Sequence, residues 1–346
     1  MAYYHILATD AAGDGSGDSW ANAMTLAEWI AWIDSASYAA GDIYYIKEDT
    51  YTLTATLDLS DRPGTSVAPV SLIGVKAGTT NEGANIVYSD WSTGLIDGGA
   101  DDRPDFDVDG YYIVTGNYYK IFNIIFAGNA GTADRLLNTS TASVSFNVKI
   151  SNTTSTSDKW GVQLGSYGKA IACEIVNENG YGVSLPGGNY VLYSYVHDCK
   201  NGLGCSGHAF NVISSIIADC SVNGATMGSC DHNLFLSNTF YNCPVGILAS
   251  DSYDNLIINN IIDNCADAFK WSSAQQDANI FLRNHEGNNV TRMYDTTTNK
   301  ISELLPHTDF DPTSGDPKFT TPGSDFSLQS DSPCIDEGLA MVLGVG

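Results

Sequence analysis

Apolar and polar residues alternate along this chain in short bursts that recur at a nearly fixed interval. Five segments align: IACEIVNE (171–178), LYSYVHDC (192–199), ISSIIADC (213–220), LSNTFYNC (236–243) and IINNIIDNC ending at 265. Measured at their last residues, the spacings are 21, 21, 23 and 22. A period of this size with a short β pattern in each copy predicts a solenoid in which every repeat is one turn of a parallel β-coil. The frame extends upstream to VSFNVKISNT (144–153) and KIFNIIFAGN (120–129), and less regularly downstream to NIFLRNHEG (279–287). Successive coils lie ~4.8 Å apart, so equivalent positions become columns. Ile171, Leu192, Ile213, Leu236 and Ile258 form one apolar column, and Ile175, Val196, Ile217, Phe240 and Ile262 another. Both are expected to face the core. Cys173, Ser194, Ser215, Asn238 and Asn260 lie between them with the same parity, and polar side chains that face inward must hydrogen-bond along the stack. Asn177, Asp198, Asp219, Asn242 and Asn264 fall where each strand ends, at corners that Asx residues tolerate.

The pattern changes near the N-terminus. A Gly/Asp/Ser-rich turn (12–20) precedes TLAEWIAWI (25–33), where Thr25 and Glu28 make a capping box and Leu26, Trp29, Ile30 and Ile33 an apolar helix face. Such a helix would cover the open end of the coil stack, which is otherwise a bare sheet edge. The chain thus reads as an N-terminal turn and capping helix (1–40), parallel coils (41–290) and a C-terminal wrap or cap (291–346).

Charge narrows the partners. The 346 residues hold 40 Asp plus Glu against 15 Lys plus Arg, a formal charge of −25. Nucleic acid is a polyanion bound by Lys and Arg, so it is excluded as a partner, as are anionic membrane surfaces. Acidic polysaccharides are repelled too unless a metal ion intervenes. No apolar run approaches the ~18 residues of a membrane span, and Met1 to Asp10 shows neither a basic n-region nor an h-region, so no secretory signal is expected.

The repeat, the N-terminal turn and helix, the segment AGDIYYIKEDTYTLTATLDL (40–59) and the closing stretch DPKFTTPGSDFSLQSDSPCIDEG (316–338) together resemble the pectin lyase-like superfamily. The resemblance implies an all-β fold, a right-handed single-stranded parallel β-helix with a short N-terminal capping helix and a C-terminal wrap. That superfamily includes lyases, hydrolases, epimerases, phage tailspikes and structural proteins, so fold is a weak guide to function. Its catalytic signatures do not carry over. Asp101-Asp102 and Gly207-His208-Ala209 are only fragments of the polygalacturonase-like pattern, and Trp32-Ile33-Asp34 echoes a pectate-lyase-like motif from within the capping helix.

Eight cysteines are present, without a CxxC pair, and Cys199, Cys220, Cys243 and Cys265 share one column. A ladder of small buried thiols is expected there, which suits assembly in a reducing cytosol; stacked disulfides are the alternative.

Four groups of residues are candidates for chemistry or contact. Lys149 and Glu174, on adjacent coils of an outward column, could be a base and its orienting carboxylate, with Tyr193 and Tyr195 as a sugar-stacking surface, or a surface ion pair. Farther along that column, outward Tyr195, Ile216 and Ile261 suggest a face covered by a neighbouring subunit. Asp105, Asp107 and Asp109 match the start of a calcium loop, making Ca2+ the one candidate cofactor, but Gly116 stands where a bidentate Glu is required. The alternative is a strand with Phe106 and Val108 inward. His208, Asp231, His232, Asp251 and Asp254 gather at successive corners, where His with Asp means either acid–base chemistry or ordinary turn composition.

The leading reading is a non-enzymatic structural or adhesive β-helix of a phage virion, such as a head-decoration, fibre or tail protein, assembled in the host cytoplasm. Its expected partners are protein neighbours in the virion or further copies of itself, a trimer included. A polysaccharide lyase or glycoside hydrolase is the alternative, extracellular in location, and a carbohydrate-binding protein without turnover the third.

Overall fold

The computed structural model describes residues 2–9, 12–34, 38–76, 103–128, 135–152, 159–272, 279–289, 291–295 and 315–335. Asp101-Asp102 lie outside them. Met1–Ser184 and Leu185–Gly346 are two compact units, both all-β and built from the same parallel coil. No helix among the described residues is long and apolar enough to cross a membrane.

Each coil contributes one strand to each of three sheets. In Leu185–Gly346 the first sheet contains Tyr190–Leu192, Asn211–Ile213, Leu234–Leu236, Leu256–Ile258 and Ile280–Leu282, paired in parallel. The second begins with Tyr195–His197, Ile216–Ala218 and Thr239–Tyr241, and the third with Asn201–Cys205, Asn223–Gly228 and Val245–Ser250.

Only two residues join first to second sheet, and the leading one is left-handed: Tyr193, Ser214, Ser237, Asn259 and Arg283 have φ of 50° to 57°. That kink breaks the alternation of sides. Leu192, Ile213, Leu236 and Leu282 consequently point outward and are partly exposed, while Val191, Val212, Phe235, Ile257 and Phe281 are buried. The column Leu192 to Leu236, expected in the core, is an outer column, whereas its last member, Ile258, is buried at 6% exposure. The expected second column, Val196 to Ile262, is inward as expected, at 0% exposure throughout. In Met1–Ser184 the same switch at Ala172 (φ 50°) buries Ala170 and Ile175 and turns Ile171 outward.

The polar column is the expected inward ladder. Asn238 Nδ2 donates to Asn260 Oδ1 at 3.0 Å, and Asn260 Nδ2 donates to Asn284 Oδ1 at 2.9 Å. The same amides bond the backbone carbonyls of Val212 and Phe235. A second inward ladder, Asn233, Asn255 and Asn279, lines the other edge of the first sheet at 2.7 and 2.8 Å. The repeat alignment missed it because Phe210 interrupts the column. Outside, Asn264, Asn242 and Asp219 form the exposed corner ladder; Asn177 instead is buried in its strand, bonded to Asn152.

Both ends of the chain cover sheet surface with their own aromatic residues. Helix α1 (Leu26–Asp34) has the capping box, with Thr25 N and Oγ1 donating to Glu28 Oε2 and Glu28 N donating to Thr25 Oγ1. It buries Trp29 and Ile33, Trp29 lying 5.4 Å from the inward ring of Tyr44. On the outer side, Trp20 packs with Tyr45 and Ile73. Near the C-terminus Phe319–Thr321 and Asp325–Leu328 pair antiparallel around Pro322-Gly323, where Gly323 takes φ 86°. Phe319 and Phe326 of this hairpin sit against Tyr241 at 6.1 and 5.3 Å, and Phe326 against Tyr195 at 6.4 Å. Of the outward residues assigned above to a neighbouring subunit, Tyr195 thus meets the chain's own hairpin, as does Tyr241.

Candidate functional site

A gathering of histidines and acidic side chains lies where the third sheet turns into the first. Three consecutive corners contribute: His208 from one, Asp231 and His232 from the next, Tyr253 and Asp254 from the third. Left-handed residues set each corner, with φ of 56° at Ala209 and His232, 50° at Asp251 and 55° at Asp254. Polar Asx and His tolerate that conformation better than branched residues. Ala209 N donates to Asp231 O, and Asp231 bridges Tyr253 in parallel, so coil stacking fixes the spacing.

Asp231 is the hub. Its carboxylate is 11% exposed and contacts His208 Nδ1, while His232 Nδ1 lies 3.3 Å away. His232 Nε2 is 3.9 Å from Asp254 Oδ2. Burial works to raise the Asp231 carboxyl, but hydrogen bonds from His232, Tyr253 and His208, with the charge of His208, hold it below the usual carboxylate range. The same bond to Asp231 raises the Tyr253 phenol. An ionised carboxylate only accepts, so Nδ1 of His208 carries the proton. Its other nitrogen, on a side chain 63% exposed, then faces solvent. An imidazole held this way is chemically equipped for proton transfer or for hydrogen-bonding a polyol. The sequence brought forward His208, Asp231, His232 and Asp254; Tyr253 was missed because a tyrosine in a turn carries no signal until its hydroxyl is seen on Asp231. Asp251 opens the same corner, exposed.

The other candidates stand apart from this corner. Lys149 and Glu174 are register partners on adjacent strands and pair at 3.2 Å, with side chains 27% and 12% exposed. Asp105 and Asp107 flank buried Phe106 on the strand Asp105–Asp107, and Val108 is buried beyond it. Asp109 N reaches back to Asp107 Oδ1 at 3.4 Å. This is the strand arrangement set against the calcium loop above, and among the described residues no group of three or more His, Cys, Asp or Glu is placed to hold a metal ion. Tyr193 is 62% exposed at its left-handed corner. Ile216 and Ile261 are register-linked through Thr239 on the second sheet and half-buried.

All eight cysteines are thiols, and Cys199, Cys220, Cys243 and Cys265 are buried in one column. Hydrogen bonding with the preceding thiol of the ladder, together with burial, pushes Cys243 and Cys265 well above the ordinary thiol range. Buried thiols kept protonated in this way are poor nucleophiles.

A family model described as "Right handed beta helix region" matches residues 160–302. Among solved structures, pectate lyase Pel9A is 13% identical, with 98% of this chain and 92% of that one covered and a TM-score of 0.64. A rhamnogalacturonan lyase is 11% identical over 93% and 91%, at 0.58. ORF18 of Geobacillus virus E2 is 9% identical over 85% and 60%, at 0.53. No curated protein sequence matches. Identities this low speak for the fold alone, a right-handed parallel β-helix.

Proposed function

We propose that this chain is a structural or adhesive β-helix of a phage virion, a head-decoration, fibre or tail protein whose sheet faces serve as contact surfaces. The reading is carried by the shortness of the corners. From Tyr190 to Trp271 every connection between consecutive strands is two to five residues long. Substrate pockets are concave, and corners this short raise no walls beside the sheets; broad faces suit contact with another surface. The viral ORF18 among the structural neighbours is compatible with this reading. It implies assembly in the host cytoplasm and residence in the particle. Mass spectrometry of purified particles from the virus that encodes the chain should find it at a stoichiometry comparable to other structural proteins. Its absence from particles would overturn the proposal.

One observation favours a second reading, a carbohydrate-active enzyme: the Asp231-anchored imidazole of His208. A reducing-sugar and unsaturated-product screen over neutral and uronate polysaccharides tests it. Turnover abolished by His208→Ala and retained in Lys149→Ala would move the assignment to that corner. A blank panel leaves the first reading in place.

A further inference from the structure

The left-handed kink that turns Leu192, Ile213, Leu236 and Leu282 outward also creates a surface. Beside that column runs a second outward column from Tyr190 through Leu234 and Leu256 to Ile280, locked in register by the parallel strands. Nine of the ten outward positions on these five strands are aliphatic or aromatic, Asn211 being the exception, and none is Asp, Glu, Lys, Arg or His. Tyr190 is 36% and Leu256 38% exposed, and Ile258 beside Leu256 is buried at 6%.

We propose that this face of the first sheet, within Tyr190–Leu282, packs against a second copy of the same chain. Three features select that occupant. The first is charge: a chain of net −25 repels its own copies, and a face without Asp, Glu, Lys, Arg or His is where two equally acidic copies can meet without like charges in contact. The second is period. A copy carries the same ~4.8 Å ridges of branched side chains, so ridges and grooves match along the whole patch, with the sheets ~10 Å apart as in other face-to-face packings. The third is area. Five strands by three residues make a patch about 24 Å by 10 Å, whose accessible surface is on the order of 400 Å2, within the range of functional patches. That is about half of the ~800 Å2 per partner that a stable interface buries, and the flanking corners supply the polar rim. The chain covers its outward apolar clusters elsewhere: Trp20 does so over Tyr45 and Ile73, and the C-terminal hairpin over Tyr195 and Tyr241.

Light scattering and native mass spectrometry of the full chain over a dilution series provide the test. The expected result is a homo-oligomer whose dissociation constant rises by about 100-fold or more in Leu234→Glu/Leu256→Glu, the scale of losing central interface anchors, while Ile216→Glu on the second sheet leaves it in place. If the Glu pair fails to fold by circular dichroism, Leu234→Thr/Leu256→Thr keeps strand propensity and is expected to weaken association by about 10-fold. A wild-type chain that stays monomeric at 100 μM, on the order of the weakest specific homodimers, overturns the proposal. So does an oligomer indifferent to both pairs, or a monomer that buries this face against a different protein. A monomer found in purified particles would remove this interface and leave the virion assignment standing.

Discussion

Two outer faces of Leu185–Gly346 carry apolar side chains and meet different fates. On the second sheet, Tyr195 and Tyr241 lie under Phe319 and Phe326 of the C-terminal hairpin. On the first sheet, Leu234 and Leu256 stay open, with Leu256 at 38% exposure. Both faces follow from the same coil and similar residues. The difference teaches that one coil can present outward hydrophobic residues on two faces while the described chain covers only one of them with its own hairpin.

If the hairpin is the cover, removing its buried ring should have the largest effect. Phe319, 2% exposed, should cost about 3–5 kcal/mol of unfolding free energy as Phe319→Ala, the range for burying and then deleting a phenyl group. Leu192→Thr, on the uncovered face, should cost less than about 1 kcal/mol in the isolated chain. Urea titration of both variants checks the contrast, and equal losses would mean that the two faces do not differ in cover.

The next effect contrasts inner and outer ladders. Asn260 is fully buried, and its Oδ1 accepts from the backbone and side-chain amides of Asn238 while its Nδ2 reaches Phe235 O and Asn284 Oδ1. Asn260→Ala strands several of these groups and should cost about 2–3 kcal/mol, since each buried unpaired group carries a desolvation penalty. The exposed corner residue Asn242 has solvent as a substitute partner, and Asn242→Ala should stay within about 0.5 kcal/mol. A small loss at Asn260, measured the same way, would show that the inward ladder is dispensable.

The legibility of the fold has a physical limit visible at residues 191–196. The period, the column Val196 to Ile262, the Ser194 to Asn260 ladder and the Thr25–Glu28 cap could all be read from the sequence. Each is a repeat or a local motif. The side on which Leu192 sits could not, because residues 192, 194 and 196 alternate like one continuous strand, and Tyr193 gives no sign of its φ of 50°. Ser, Asn, Tyr and Arg all occupy that kink in this chain, so residue type does not announce it. The hairpin's docking was equally hidden, being a set of contacts between residues 78 to 131 positions apart with no repeat to align them. At the candidate site, His208 and Asp231 stood out by type, whereas Tyr253 required the coil register that puts its corner beside Asp231.

The smallest effect asks whether the covered face can be opened. His285, 4% exposed, lies 2.9 Å from Gly315 O through Nε2, close to the start of the hairpin. A carbonyl only accepts, so Nε2 carries the proton in the neutral ring. Burial lowers the His285 pKa from the ordinary 6.5, although the bond to Gly315 and the charges of Asp263 and Asp316 pull upward. With the folded value depressed, the unfolded chain takes up the proton first as pH falls. The stability that His285 contributes is therefore complete above about pH 6.5 and is lost as pH drops through the lower folded value. The urea midpoint should fall from pH 7 to pH 5 more steeply in the wild type than in His285→Gln, whose amide can still donate to Gly315. Hydrogen-exchange protection at Phe319–Leu328, relative to the intrinsic rate at each pH, should fall over the same interval. Identical pH slopes in the two proteins would separate His285 from the hairpin, whereas protection that falls only in the wild type would mean that acid converts the covered face into one resembling its uncovered neighbour.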